Sequence, residues 1–285
     1  ANIMLTREAV SASAHMWPRM TSLATVANTS LPRPDVAAIT GASRGLGAAM
    51  AKRLAASGTR VILLGRSEKV PAHERLQGTL NDVRDEILES GGDAVAVHMD
   101  LTDSTSIRTA IQRAATSFGK LDVLINNASA LDTNAHPKAR KYDLLHAVNA
   151  RGTYLCNQAC LPFLLQTGGQ ILTVAPPLDN MRHWLRQPQP PLAYMVSKYN
   201  MSMYTLALAP LLSVQTLWPK HTIQTAATRL LEEHSGQPMF TDGRDPEYFA
   251  RAVSMALAHP VNGRACLDED ILPHPRDTAP LDLLV

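Results

Sequence analysis

Thr40-Gly41-Ala42-Ser43-Arg44-Gly45-Leu46-Gly47 stands between the apolar run Val36-Ala37-Ala38-Ile39 and the helix-prone Ala48-Ala49-Met50-Ala51-Lys52-Arg53-Leu54. Three glycines at the junction of a strand and a helix restrict what such a chain can become. Glycine lets the backbone turn sharply and approach a bound group closely. The first N–H groups of the helix then offer donors and a positive dipole end to an anion. An ordinary glycine turn needs none of this context, whereas a dinucleotide pyrophosphate site requires all of it. Gly41, Ser43, Arg44, Gly45, Leu46 and Gly47 are therefore expected to hold a dinucleotide.

The rest of the chain continues the alternation. Apolar runs at 60–64, 94–97, 121–125, 170–174, 214–217 and 264–267 predict strands, and helical spacing over 80–90, 104–118, 144–165 and 194–208 predicts helices between them. Asp245-Pro246-Glu247 reads as an N-cap with proline in the first turn of another helix, ending near His259. Strands alternating with helices imply right-handed crossovers, so the fold class is α/β: a Rossmann-type, doubly wound parallel sheet flanked by helices in a single domain. The domain is placed at 35–285, after a leader over 1–34 that is either loosely packed or an organelle-targeting segment. The connections 67–78 and 176–191 are long, and the second belongs at the carboxyl edge of the sheet, where ligands of such folds bind.

Composition excludes several classes. In 285 residues the net charge is only +2, and the basic residues form no run interleaved with aromatics, so neither nucleic acid nor an anionic membrane surface is expected as partner. No apolar stretch approaches the roughly 20 residues of a membrane span. The three cysteines, Cys156, Cys160 and Cys266, fit neither a disulfide framework nor a metal-ligand spacing, and the ten histidines include no pair spaced for helical zinc binding. No metal is expected. A reducing compartment follows, cytoplasmic in the first instance and mitochondrial if the leader targets; Leu283-Leu284-Val285 is not a peroxisomal Ser-Lys-Leu signal.

Gly65-Arg66-Ser67 stands at the end of the second strand, where a dinucleotide site reads the adenosine ribose. An acid there would suit a free 2′-hydroxyl. Arg66, with Arg44 in the glycine turn, suits a 2′-phosphate instead, so NADP(H) is expected; the alternative is that Arg66 is a solvated strand-end charge. Asp100, at the end of the third strand, is a candidate adenine contact or else a turn residue.

Tyr194 and Lys198 are four apart on a predicted helix and share a face. A phenol can give a proton to the oxygen of a carbonyl being reduced, and a neighbouring ammonium favours its ionised form, as a group acting as both acid and base needs. Alone, such a pair is common on any amphipathic helix. Together with the glycine turn, Asn126-Asn127-Ala128-Ser129 and Val148-Asn149-Ala150-Arg151-Gly152, in that order, the chain resembles the short-chain dehydrogenase/reductase family over about residues 35–270. Leu76-Gln77-Gly78-Thr79, Ala175-Pro176-Pro177, 198–204 and Leu217-Trp218-Pro219-Lys220 are similar to its hydroxysteroid-dehydrogenase-like protein 2 group.

The resemblance implies hydride exchange between NADP(H) and a hydrophobic carbonyl or alcohol. Tyr194 would be the general acid/base, and Lys198 its modifier and the anchor of the nicotinamide ribose. Asn149 would hold a relay water and Asn126 would support the sheet. Leu101 and Asn127 would join the cofactor contacts, and Pro219, Ile223 and Thr225 would lie against the nicotinamide amide. A homodimer or homotetramer through the helices over 144–165 and 194–208 is also implied.

Three departures stand out. The serine that members usually place after the fifth strand is replaced by Pro176, which has no donor, leaving Thr173 or Asn180 as stand-ins; losing such a hydrogen bond costs about 10²–10³ in rate. The 206–217 connection is short, which would loosen the adjoining cofactor loop. The sterol-carrier domain of some relatives is not expected. The competing function is a catalytically weak or inactive NADP(H)-binding sensor or scaffold, motivated by Pro176 and the short connection; retention of Tyr194 and Lys198 opposes it.

Overall fold

The structure, a computed structural model, describes residues 33–70, 75–186, 188–236 and 243–272. Nearly all of the 1–34 leader lies outside the described residues.

Seven strands form one parallel sheet: β1 (Val36–Thr40), β2 (Arg60–Gly65), β3 (Ala94–His98), β4 (Val123–Asn126), β5 (Gln170–Val174), β6 (Ser213–Trp218) and β7 (Arg264–Leu267). Their order is β3-β2-β1-β4-β5-β6-β7, the doubly wound Rossmann arrangement with its switch point between β1 and β4. Each apolar run divides between the two faces. Ala37, Ile39, Val61 and Leu63 enter one core, and Val36, Ala38, Ile62 and Leu64 enter the other. A strand buried on both sides needs apolar residues at consecutive positions, which is why these runs do not alternate with polar ones.

The first core is covered by α1 (Gly45–Ala56), α2 (Leu80–Glu89) and α9 (Pro246–Ala258), the second by α3 (Ser104–Ser117) and α5 (Thr153–Thr167). Phe249, Met50 and Ile111 are among the side chains buried in these layers, each contributing roughly 1.5–3 kcal/mol of transfer free energy. Local signals fix the helix starts. Thr79 and Asp82 form a reciprocal capping box, Asp103 accepts from Thr105 N at 2.8 Å, and Asp245 accepts from Glu247 N at 2.7 Å ahead of Pro246.

The structure departs from the sequence reading in four places. The helix expected over 144–165 is not continuous: α4 (Ala139–Leu145) passes through a π-helical stretch, His146–Gly152, before α5. The 176–191 connection carries a 3₁₀ turn, Leu178–Asn180, and the short α6 (Met181–Leu185), after which α7 (Leu192–Leu206) presents Tyr194 and Lys198. An additional helix, α8 (Ala226–Ser235), starts at a Thr225 capping box, and α10 (Asp268–Ile271) follows β7.

The fourth departure concerns the short connection between α7 and β6. It buries Leu208 and Leu212, and Asn262 fastens it by donating to Ala209 O at 2.8 Å and accepting from Val214 N at 3.0 Å. The loop after β6 is held by the C-terminal elements. Lys220 N donates to the buried Asp268 at 2.9 Å, Gln224 N and Arg244 N pair with Arg244 O and Thr222 O at 2.8 and 2.9 Å, and Glu269 gathers Lys220 and Arg244. The missing length is offset by contacts with the C-terminal elements.

Candidate active site

A cleft of about 570 Å³ opens at the carboxyl edge of the sheet. One wall is the glycine turn. Gly41 and Gly45 have φ of 69° and 52°, which side-chain-bearing residues rarely adopt, and a Cβ on Gly47 would lie 2.2 Å from Gly41 O. The turn is held from behind by polar groups of the adjacent strand ends. Thr40 Oγ1 accepts from Asn127 N and Ala128 N, each at 3.0 Å, and Asn127 Nδ2 donates to Thr40 O at 2.9 Å.

The chemistry of this wall fits a phosphate-bearing cofactor. Arg44, the N-cap of α1, makes no side-chain cap, and the first turn of the helix carries no acid. Its leading N–H groups thus have no side-chain acceptor, and Gly45, Leu46 and Gly47 all line the cleft. Arg44 and Arg66 both line the cleft beside this wall. Burial and then the charge of Arg66 hold the Arg44 guanidinium below its ordinary pKa, and Arg44 Nη1 donates to Leu76 O. Neither guanidinium forms an ion pair with an acid among the described residues. Two uncompensated cations side by side favour an anion.

Asp100 and Leu101 also line the cleft, as do Pro219, Ile223 and Thr225. Asp100 Oδ1 accepts from both the amide and the hydroxyl of Thr102, each at 2.8 Å, so it shapes the turn as well as facing the cleft.

Tyr194 and Lys198 meet the cleft together from α7. Lys198 is 2 % exposed; its Nζ donates to Val174 O at 2.7 Å and lies 5.2 Å from the centre of the Trp218 ring. Burial brings its pKa down to about 7. Burial likewise pushes the Tyr194 phenol up to about 12, and the nearby hydroxyl of Ser129 lowers it in part. In the protein without ligand, burial therefore outweighs any effect of the neighbouring amine, and the expected lowering by an ammonium is not seen. The phenol is held protonated at neutral pH.

Asn149 does not reach the cleft. It is fully buried one layer behind, in the π-helical stretch, with both side-chain atoms engaged by protein: Oδ1 accepts from Ala130 N at 2.7 Å and Ser129 Oγ at 3.2 Å, and Nδ2 donates to Ala130 O at 3.0 Å and Ser197 Oγ at 2.9 Å. Its amide fixes the loop after β4 against α7, and no side-chain valence is left over to hold a water. Asn126 donates to Asn157 Oδ1 at 2.8 Å and Thr173 Oγ1 at 3.1 Å, tying β4 to its neighbours.

Neither stand-in for the missing serine faces the cleft. Thr173 is buried between Asn126 and Thr205, and Asn180 lies in the 3₁₀ turn outside the cleft lining. Pro176 is buried and gives its carbonyl to Ser202 Oγ at 2.6 Å. The sequence reading missed Ser129, Trp184 and Trp218, which all line the cleft. Only Ser129 had a signal, a hydroxyl directly after Asn-Asn-Ala at the end of β4.

A parallel sheet in this order, a phosphate-suited turn at its switch point and a tyrosine–lysine helix beside it are together the arrangement of a Rossmann-type α/β fold. The chain belongs to the short-chain dehydrogenase family, whose model matches residues 35–215. It is 36% identical over 245 residues to hydroxysteroid dehydrogenase-like protein 2 of Xenopus tropicalis, covering 83% of this chain and 57% of that protein, so the chain spans little more than half the length of this relative. Among solved structures, a short-chain dehydrogenase from Mycobacterium thermoresistibile is 33% identical with a TM-score of 0.74, covering 84% of this chain and 86% of that one. A Burkholderia cenocepacia short-chain dehydrogenase in complex with NADP is 26% identical with a TM-score of 0.67, covering 84% and 97%. Among the described residues no helix is long and apolar enough to cross a membrane.

Proposed function

We propose that this protein interconverts a hydrophobic carbonyl and its alcohol using NADP(H). The observation that carries the reading is the placement of a protonated phenol, Tyr194, in the same cleft as an anion-suited helix start and two unpaired guanidinium groups. Arg44 and Arg66 would hold the 2′-phosphate, and Gly45, Leu46 and Gly47 the pyrophosphate. Lys198 would take the nicotinamide ribose, and Pro219, Ile223 and Thr225 the nicotinamide side. The bound NADP relative adds support for the choice of cofactor. When bound, the reduced nicotinamide supplies the hydride.

In reduction Tyr194 gives its proton to the substrate oxygen, for which a phenol protonated at neutral pH is suited; in oxidation it takes that proton back. Leu131, Leu144, Val148, Trp184 and Pro191 line the remainder of the cleft and make it apolar, which selects a hydrophobic substrate. Exposed Tyr142, Tyr154, Val196, Met203 and Tyr204 on α4, α5 and α7 form an apolar surface suited to a second copy of the chain. We prefer catalysis to the scaffold reading because a pure binder has no use for a half-buried phenol in its cleft. The experiment is a competitive titration with NADPH and NADH followed by a screen of carbonyls and alcohols. Tighter NADPH binding and NADPH-dependent turnover are expected; preference for NADH, or binding without turnover of any carbonyl, would contradict the proposal.

A further inference from the structure

Resting on the reading above, we propose that Ser129 is a catalytic residue: its hydroxyl donates the second hydrogen bond to the substrate oxygen beside Tyr194, in place of the donor that Pro176 lacks. Pro176 and Thr173 are turned to other partners, and Asn180 lies outside the cleft lining. Ser129 lines the same cleft as Tyr194, on the loop after β4, is exposed there, and lies near enough for its hydroxyl to favour the ionised phenol. An oxygen placed to receive the phenol's proton therefore also lies within reach of Ser129.

The hydroxyl is free to make this bond. It has one proton and two protein acceptors, Ala130 O at 3.0 Å and Asn149 Oδ1 at 3.2 Å. Each acceptor keeps another donor when the proton turns away: Ala130 O retains Asn149 Nδ2 at 3.0 Å, and Asn149 Oδ1 retains Ala130 N at 2.7 Å. Redirecting Ser129 to a ligand thus leaves no buried group unsatisfied, so the switch costs little. These Asn149 bonds also fix where the Ser129 loop lies relative to α7. The hydroxyl is both positioned and available, the condition for a donor that stabilises developing charge without reorganisation.

The test compares Ser129→Ala, Ser129→Thr and Tyr194→Phe in NADPH-dependent reduction and in alcohol oxidation across pH. Ser129→Ala is expected to lower kcat by ~10²–10³ with NADPH affinity within about twofold, and to move the rising limb of the oxidation profile to higher pH, because the hydroxyl that favours the ionised phenol is gone. Ser129→Thr, which keeps the hydroxyl, is expected to recover at least a tenth of the rate. A merely structural role would not move the pH limb. Turnover within about threefold of the parent in Ser129→Ala, with Tyr194→Phe inactive, overturns the assignment of Ser129 and leaves the role of Tyr194 standing. Undiminished turnover in Tyr194→Phe overturns both. A Ser129→Ala loss that Thr does not recover and that leaves the pH limb in place also overturns the assignment, making Ser129 structural.

Discussion

Asn149 Nδ2 donates to Ser197 Oγ at 2.9 Å, and the Ser197 hydroxyl donates in turn to Tyr194 O at 2.6 Å, so a buried amide in the π-helical stretch holds the first turn of the helix that carries the phenol. Leaving a buried donor or acceptor without its partner costs about 1–3 kcal/mol. Asn149→Ala leaves the Ala130 amide without its acceptor and takes one of two partners from Ser197 Oγ and from Ala130 O, and is expected to lower the denaturant midpoint by an amount equivalent to about 1–3 kcal/mol. Turnover should fall as well, with NADPH affinity little changed. Equilibrium urea unfolding checks the first expectation, and a stability equal to the parent's would contradict it.

The two guanidinium groups predict a cofactor preference that can be reversed. A hydrogen bond to a charged group contributes about 1.5–3 kcal/mol, or roughly 10–100-fold in affinity. Arg44→Ala and Arg66→Ala are each expected to weaken NADPH by that factor while changing NADH by less than about threefold. Fluorescence titration of both cofactors reads the difference. Equal losses for the two would place the arginines elsewhere than at the 2′-phosphate.

Gly47 has no room for a methyl group. The Cβ of an alanine would meet Gly41 O at 2.2 Å and Asn127 Nδ2 at 2.7 Å, so the turn must shift. Overpacking of this kind costs about 1–3 kcal/mol, and Gly47→Ala should lose both thermal stability and NADPH binding. Gly119 is a useful control because its surroundings are open, although its φ of 74° makes Gly119→Ala locally strained. That variant should lose some stability and keep its cofactor affinity.

Much of this was readable in the sequence for a definite reason. Strands buried on both faces must be apolar throughout, so 36–39, 60–64 and 170–174 announce themselves, and the glycine turn marks the cofactor wall. The π-helical stretch leaves no such trace, because a change in backbone hydrogen-bond register does not alter the side-chain periodicity of Leu144 to Leu165. Helix α8 was missed although Thr225 caps it, since its four charged or imidazole side chains in ten residues and partly exposed packing blur the apolar stripe. Tyr194 and Lys198 were found by spacing, but the pKa of each is set by burial, a property of the tertiary fold. Ser129 was passed over because a hydroxyl in a loop gains meaning only when α7 brings a phenol against it.

Lys198 makes stability depend on pH in a predictable direction. Its folded pKa of about 7 lies below the ordinary 10.5. Below about 7 both folded and unfolded chains hold the proton and the burial cost is full. Between about 7 and 9 the unfolded chain alone holds it, so stability rises with pH. Above about 9 the buried thiols of Cys156, Cys160 and Cys266, all pushed up from the ordinary 9.0 by burial, keep protons that the unfolded chain loses, as do the Tyr194 and Tyr199 phenols above about 10, and the slope reverses. Lys198→Met should flatten the rise between pH 7 and 9 in unfolding experiments on the ligand-free protein; an unchanged slope would mean that the amine is not depressed.

On the function proposed above, the Tyr194 phenol carries the proton for a reaction whose cofactor is held by other groups. Single-turnover reduction with NADPH, run on the parent and on Tyr194→Phe at saturating cofactor, addresses this role most directly. A rate at least ~10³-fold lower with NADPH affinity retained is the predicted result, since removing one general acid typically costs 10²–10⁴-fold. Reduction by Tyr194→Phe at the parent rate would contradict the account.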